Sequence, residues 1–284
     1  NNKYLNSLVI LDPKKDNLTQ FHMDIAASIQ SVIEEIVLKI TRSLAKEYNI
    51  KNLCLAGGVA LNCVSNGKIL KEKIFDNIWI QPSSGDAGGS LGAALAFYYK
   101  ELNKPREIFK DQMKGSYLGP SFDDDTIESK LIFLEAKYTK MSEKDMTDTI
   151  AKELSDHKIV GWFQGRMEFG PRALGSRSII ANPKSKNMQK DLNIKVKFRE
   201  SFRPFAPSVL MDEAKNWFDL EAPSPYMLFV TNIKKKHQIE MTKENKMLFG
   251  IDKLNISRSS IPAVTHIDYS ARVQTVHEET NYKY

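Results

Sequence analysis

Two short apolar runs each end in a glycine loop and each give way to a helical stretch: "NLCLAGG" at residues 52–58 and "NIWIQPSSGDAGG" at 77–89. Strand, glycine loop and helix repeated in that order require the two strands to lie parallel, because the intervening helix carries the chain back to the starting edge. The crossover is then right-handed, and both glycine loops stand at the carboxyl ends of the strands, where α/β folds place ligands. The helices after the loops are expected over 59–71 and 91–102. A longer helix precedes them. Phe21, Ile25, Ile29, Val32, Ile33, Ile36, Val37, Ile40 and Leu44 recur at the spacing of one helical face across 17–48. The fold class this predicts is α/β.

A chain of 284 residues, 42% hydrophobic and 27% charged, has the composition of a soluble globular protein with two cores. Its text turns polar between 103 and 121, around Pro105 and the punctuation "GSYLGPS". The boundary is placed there: a first unit over 1–105, a linker over 106–121 and a second unit over 122–284. In the second unit helices are expected over 125–132 and 142–154, and strands over 158–163 and 178–181. Residues 187–210 read as a helix running into an extended, proline-broken segment. The charged insert "KKKHQIEMTKENK" at 234–246 reads as a solvated loop or surface helix.

No run of about 18 apolar residues occurs, so no membrane span is expected. The first residues, Asn1-Asn2-Lys3-Tyr4, carry neither an apolar leader nor an initiator methionine, and the chain is read as a segment of a longer protein. Its two cysteines, Cys54 on an expected strand and Cys63 at a helix start, have no C-x-x-C spacing, and a reducing cytoplasm is the expected location.

The charge has an address. Residues 158–203 hold 11 Lys and Arg against 3 Asp and Glu, while the whole chain totals only +6. Within that region "GRMEFGPRALGSR" sets Arg166, Arg172 and Arg177 among glycines and a proline. Lys195, Lys197 and Arg199 alternate in "KVKFR", and Arg203 follows in "FRPF". On an extended segment that alternation points the three cations to one side, so their charges converge and need an anion. Arginine suits bidentate contact with phosphate, and lysine supplies a point charge. A solvated basic face is the plainer reading, but it does not need the flanking Gly170-Pro171 and Pro204-Phe205-Ala206-Pro207.

The glycine loops admit two readings each. Gly57 and Gly58 let backbone approach a ligand at a helix start, or they make a tight turn. Asp86 stands in a loop otherwise small and uncharged, as a helix N-cap or as a metal or Mg-phosphate ligand.

Taken together, "GRMEFGPRALGSRSIIANP", "IKVKFRESFRPFAPSVL" and "IPAVTHIDYSARVQTV" resemble the carboxyl-terminal half of the O-carbamoyltransferase family, which includes nodulation-factor and antibiotic carbamoyltransferases. "LCLAGGVALN" and "QPSSGDAGGSLGAAL" resemble the last part of that family's first domain. The resemblance implies the carboxyl-terminal part of an actin-like nucleotide domain, similar to sugar kinases, followed by a YrdC-like α/β domain. It implies ATP and carbamoyl phosphate as reactants, with carbamoyl adenylate made in the second domain and carbamoyl transferred to a small-molecule hydroxyl acceptor at the first. Arg172, Arg177, Lys197 and Arg203 would then be the catalytic, phosphate-holding set. Arg166, Lys195, Arg199, Asn193, Ser178, His266 and Arg272 would bind substrate. Gly57, Gly58, Asn62, Gly85 and Asp86 would line the acceptor-side nucleotide site, with Asp86 also a metal ligand. The implied metals are Mg with ATP and an iron-type ion at the transfer site, and the implied assembly is a homodimer.

The chain departs from the family's pattern in places. The family takes two metal-binding histidines from an H-x-x-x-H motif, and His22, His157, His237, His266 and His277 include no such pair. The family's carboxyl-terminal "NTSFN"-type segment is also missing from this sequence. Where relatives read "HVDGTAR" this chain has "HIDYSAR", so a turn that wants glycine is expected to change near Tyr269. His266 and Asp268 are read either as catalytic or as a structural pair. Two other functions stay open: a tRNA-binding or tRNA-modifying protein using the basic patch, and an actin-like sugar kinase. The acceptor is not legible in the sequence.

Overall fold

The computed structural model describes residues 19–107, 111–254 and 256–284. Helix α1 (Gln20–Tyr48) begins where the Thr19 N–H donates to His22 Nδ1 at 3.1 Å, one half of a capping box, and ends at Asn49 in the left-handed region, φ 51°. The expected start at Asn17 lies outside the described residues. The apolar residues of α1 divide between two faces. Val37, Leu38 and Ala45 pack on Leu53, Ile69 and Phe75, whereas Ile29, Val32, Ile36 and Ile40 point outward and are exposed.

Strands β1 (Asn52–Leu55) and β2 (Asn77–Ile80) pair in parallel with Leu53 opposite Ile78, as the repeated strand–loop–helix order requires. The crossover helix is shorter than expected. Gly58–Leu61 form a single tight turn, and α2 (Cys63–Glu72) starts only after Asn62, whose Oδ1 accepts from the Ser65 N–H at 3.2 Å. An N-cap side chain stops the helix from running back through the glycine pair. Helix α3 (Gly88–Ala96) follows the second loop and widens into a π-helical turn over Phe97–Glu101.

Helices α4 (Asp124–Phe133) and α5 (Glu143–Ser155) are capped by Asp123 and Ser142 and precede an antiparallel pair, β3 (Ile159–Phe163) with β4 (Arg177–Ala181). The loop between β3 and β4 carries the arginines. After α6 (Met188–Asp191) the chain makes a π-helical turn over Leu192–Val196, where an extended segment was expected to begin. Strand β5 (Ser208–Leu210) pairs in parallel with β8 (Gln274–Val276), and β6 (Val230–Asn232) antiparallel with β7 (Ser270–Arg272). The charged insert contributes a tight turn at Lys235–His237 and a short helix at Lys243–Met247. Among the described residues no helix is long and apolar enough to cross a membrane.

One apolar cluster draws on both halves of the sequence: Ala60 and Ile80 from the first, Leu174, Tyr226, Met227, Leu228 and Phe229 from the second. Two features bring them together. The buried Asn66 side chain donates to the carbonyls of Ala60 (2.8 Å) and Leu228 (3.1 Å). One residue further on, α2 lies so close to β6 that a Cβ on Gly67 would sit 2.2 Å from the Val230 carbonyl oxygen. The segment read as a linker is packed as well: Phe169 N–H donates to the Ser116 carbonyl (2.7 Å) and Gly119 N–H to that of Met167 (2.9 Å).

The obstacle at Gly67 is backbone, which cannot rotate away as a side chain could. Gly67→Ala is therefore expected to destabilise the protein by about 2–3 kcal/mol through overpacking, measured as a loss in chemical denaturation with an unchanged denaturant slope.

Candidate functional site

The loop from Gly165 to Ser176 is held by a carboxylate. Glu168 is 8% exposed, and its Oε1 accepts from the backbone N–H groups of Leu174 (2.7 Å), Ser176 (2.9 Å) and Arg177 (3.2 Å). Behind it, Tyr117 donates its hydroxyl to the Leu174 carbonyl at 2.7 Å, and Gln274 donates to the same oxygen at 2.8 Å. Burial pushes the Tyr117 phenol up to about 12, so it remains a donor across neutral pH. Gly170 and Gly175 take φ of 135° and 107°, conformations that side-chain-bearing residues avoid, and let the loop double back.

Arg172 stands near the apex of this loop. It opens into a cavity of about 780 Å³, together with Lys197, Arg199, Arg203 and Arg272. Ser178, Pro204, Phe205 and Pro207 supply polar and apolar wall. Among the described residues no Asp or Glu lines the cavity. The cations are mutually unfavourable: burial pushes the Arg272 guanidinium below its ordinary value, and Arg172 and Arg199 push it the same way. The Nε of Arg172 is buried with no hydrogen-bond partner among the described residues. Five cations on a concave wall without lining carboxylates have the chemistry to hold an anion.

Not every basic residue of the patch joins them. Lys195 sits on the π-helical turn and pairs with Asp191 at 2.9 Å in solvent, because a helical turn does not keep the two-residue alternation that would have aimed it with Lys197 and Arg199. Arg177 does not line the cavity. It stacks on the Phe163 ring, 3.5 Å from the centroid, and donates to the carbonyls of Gln164 (2.7 Å), Ser176 (2.9 Å) and Gly165 (3.1 Å). Arg166 donates to the Gly119 carbonyl at 3.0 Å, also outside the lining. Asn193 is fully buried. It accepts from Arg199 Nε at 2.7 Å and donates to the carbonyls of Ser201 and Arg203, so it sets the turn that presents those arginines. Arg203 is tied to Glu200 at 2.7 Å.

The glycine loops adjoin the arginine loop from the other side. Gly57, at φ 100°, donates its N–H to the Ser84 carbonyl at 2.9 Å, linking the first loop to the second. Gly58 opens the following turn, and Gly85 lies against Leu61. Arg172 Nη2 approaches the Leu61 carbonyl at 3.4 Å, and a Cβ on Gly170 would lie 3.7 Å from the Ser83 side chain. Asn62 is occupied by its capping role and by Gln30, to whose Oε1 it donates at 2.9 Å. Asp86 is exposed, and α3 has no side-chain cap, so the acid is not an N-cap. Among the described residues no three His, Cys, Asp or Glu side chains come together as a metal site. Asp86 offers a single donor, which does not by itself fit the implied metal.

His266 and Asp268 are not bonded to each other. Asp268 Oδ1 accepts from the Ser270 N–H (3.1 Å) and hydroxyl (2.6 Å), while His266 Nδ1 lies 3.4 Å from that hydroxyl. The turn survives the missing glycine: Tyr269 itself takes φ 63° and ties its hydroxyl to the Ile239 carbonyl at 3.1 Å.

Two sequence profiles cover most of the chain. "Carbamoyltransferase N-terminus" matches residues 6–95 and "Carbamoyltransferase C-terminus" matches 151–284. The chain belongs to the carbamoyltransferase family. Among individual proteins it is 54% identical to sll1178 of Synechocystis sp. over 270 residues, covering 94% of this chain and 44% of that one. It is 37% identical to nodulation protein NolO of Bradyrhizobium diazoefficiens (94% of this chain, 45% of that one) and 32% identical to nodulation protein U of Sinorhizobium fredii (92% and 41%). The chain thus spans about half the length, or less, of these relatives.

Burial pushes the His266 imidazole below its ordinary value near 6.5, with Arg272 and Arg258 acting in the same direction and Asp268 opposing. The unfolded chain then binds this proton more readily than the folded one. Stability present above pH about 6.5 is lost as pH falls toward the depressed folded value. Thermal melts from pH 7.5 to 5 are expected to show this loss, and His266→Gln to flatten it.

Proposed function

We propose that this chain carries the carbamoyl-activating part of an ATP-dependent O-carbamoyltransferase. In this reading residues 1–105 are the carboxyl-terminal part of an actin-like transfer domain, 106–121 a linker, and 122–284 a YrdC-like domain. The observation that carries it is the acid-free cavity ringed by Arg172, Lys197, Arg199, Arg203 and Arg272. ATP and carbamoyl phosphate are both polyanions, and bringing their reacting atoms together requires their charge to be neutralised first. Guanidinium groups fixed before the ligand arrives, Arg199 by Asn193 and Arg203 by Glu200, do this without reorganising during the reaction.

The chemistry balances as follows. Water displaces phosphate from carbamoyl phosphate, leaving carbamate. A carbamate oxygen bonds to the α-phosphorus of ATP as the bond to the bridging oxygen breaks, releasing pyrophosphate. The acceptor hydroxyl then takes the carbamoyl carbon, and AMP leaves. The direct approach of Arg172 to Leu61, at the end of the first glycine turn, supports placing transfer next to activation.

Pyrophosphate release from ATP that depends on carbamoyl phosphate is the test. It is expected from the folded chain, and Arg172→Ala and Lys197→Ala are each expected to lower it by about 10²–10³-fold, the cost of removing one preorganised electrostatic contact. A sugar kinase would release ADP instead. A nucleic-acid binder would show polynucleotide affinity that falls steeply with salt and ignores carbamoyl phosphate.

A further inference from the structure

The apex of the arginine loop is aimed from its base. Among the described residues Arg172 has one long hydrogen bond, from Nη2 to the Leu61 carbonyl at 3.4 Å, and a buried Nε with no partner, so its own side chain does little to fix its direction. What closes the loop beneath it is Glu168, whose one oxygen gathers the N–H groups of Leu174, Ser176 and Arg177. Within the span it closes lie the two left-handed glycines, Gly170 before the first collected amide and Gly175 between the first two, which on their own leave the backbone free to take other paths. An aromatic ring seals the closure: Tyr284 occupies the space a Cβ would need at Gly175.

We propose that Glu168 is a positioning residue for Arg172: it does not touch substrate but sets the direction from which Arg172 meets an anionic ligand in the cavity. This rests on the reading of that cavity as a polyphosphate site. The interaction needs an acceptor oxygen at the end of a side chain of this length. Glutamine keeps that oxygen, and alanine removes it.

Isothermal titration with inorganic pyrophosphate tests the idea without requiring turnover. Glu168→Gln is expected to bind within about threefold of the unaltered chain, and Glu168→Ala to bind about ten- to a hundredfold more weakly, the scale of a misplaced contact. Phe75→Ala, which damages a core cluster with no member in the cavity lining and where Phe75 is 8% exposed, controls for general destabilisation and is expected to keep its affinity. Glu168→Ala combined with Arg172→Ala is expected to be no weaker than Arg172→Ala alone, since Glu168 acts through that side chain. Equal binding by Glu168→Ala, or losses that multiply in the double variant, would overturn the proposal while leaving the cavity's reading in place. No pyrophosphate binding by the unaltered chain would overturn both. Should Glu168→Ala not fold, Glu168→Asp, one methylene shorter, carries the same comparison.

Discussion

Everything that brings the two ends of this molecule's chemistry together depends on one close approach, that of α2 to β6 at Gly67. Helix α2 begins just past the first glycine loop, and β6 pairs with β7, which carries Arg272. With a hydrogen in place of a methyl group, the helix can lie against the Val230 carbonyl, and Asn66 can reach the Leu228 carbonyl beside it. The distance from glycine loop to arginine cavity is therefore set by backbone rather than by side chains that could rearrange.

The parts of the fold that follow from local rules were legible. Parallel β1 and β2, the long α1, helices α4 and α5 and the separate strands β3 and β4 follow from periodicity and chain order, which act over short stretches, whereas the antiparallel pairing of β3 with β4 is seen only in the structure. The misreadings came where tertiary structure overrode a pattern. Alternation in "KVKFR" implies convergence only on a strand, and the chain there is a π-helical turn that sends Lys195 to Asp191. The apolar residues of α1 suggested a single buried face, and they divide between an inner and an outer one.

The candidate site shows the same division. Arg172, Lys197, Arg199 and Arg203 could be singled out as clustered basic residues, Arg272 only through the family resemblance, and the cavity collects all five. Glu168 was passed over, although it is the one acid in the arginine loop, because a lone carboxylate among cations reads first as a charge partner. Its partners are instead backbone amides, which leave no trace in sequence. Asn193 was assigned to substrate and proves to be a buried scaffold for Arg199 and the turn after it. Tyr117, Gln274 and Asn281 brace the loop from positions far away in the chain, and no spacing rule connects them.

Arg177 shows why formal charge is a poor currency for comparing variants of such a protein. Its guanidinium is a bracket, spanning several carbonyls while lying flat on Phe163. A lysine would preserve the charge and lose the planar fork that fits those oxygens. In a mutational survey of this chain, the substitution that looks most conservative at that position would group with the disruptive ones. A neutral change at exposed Lys195 would pass unnoticed.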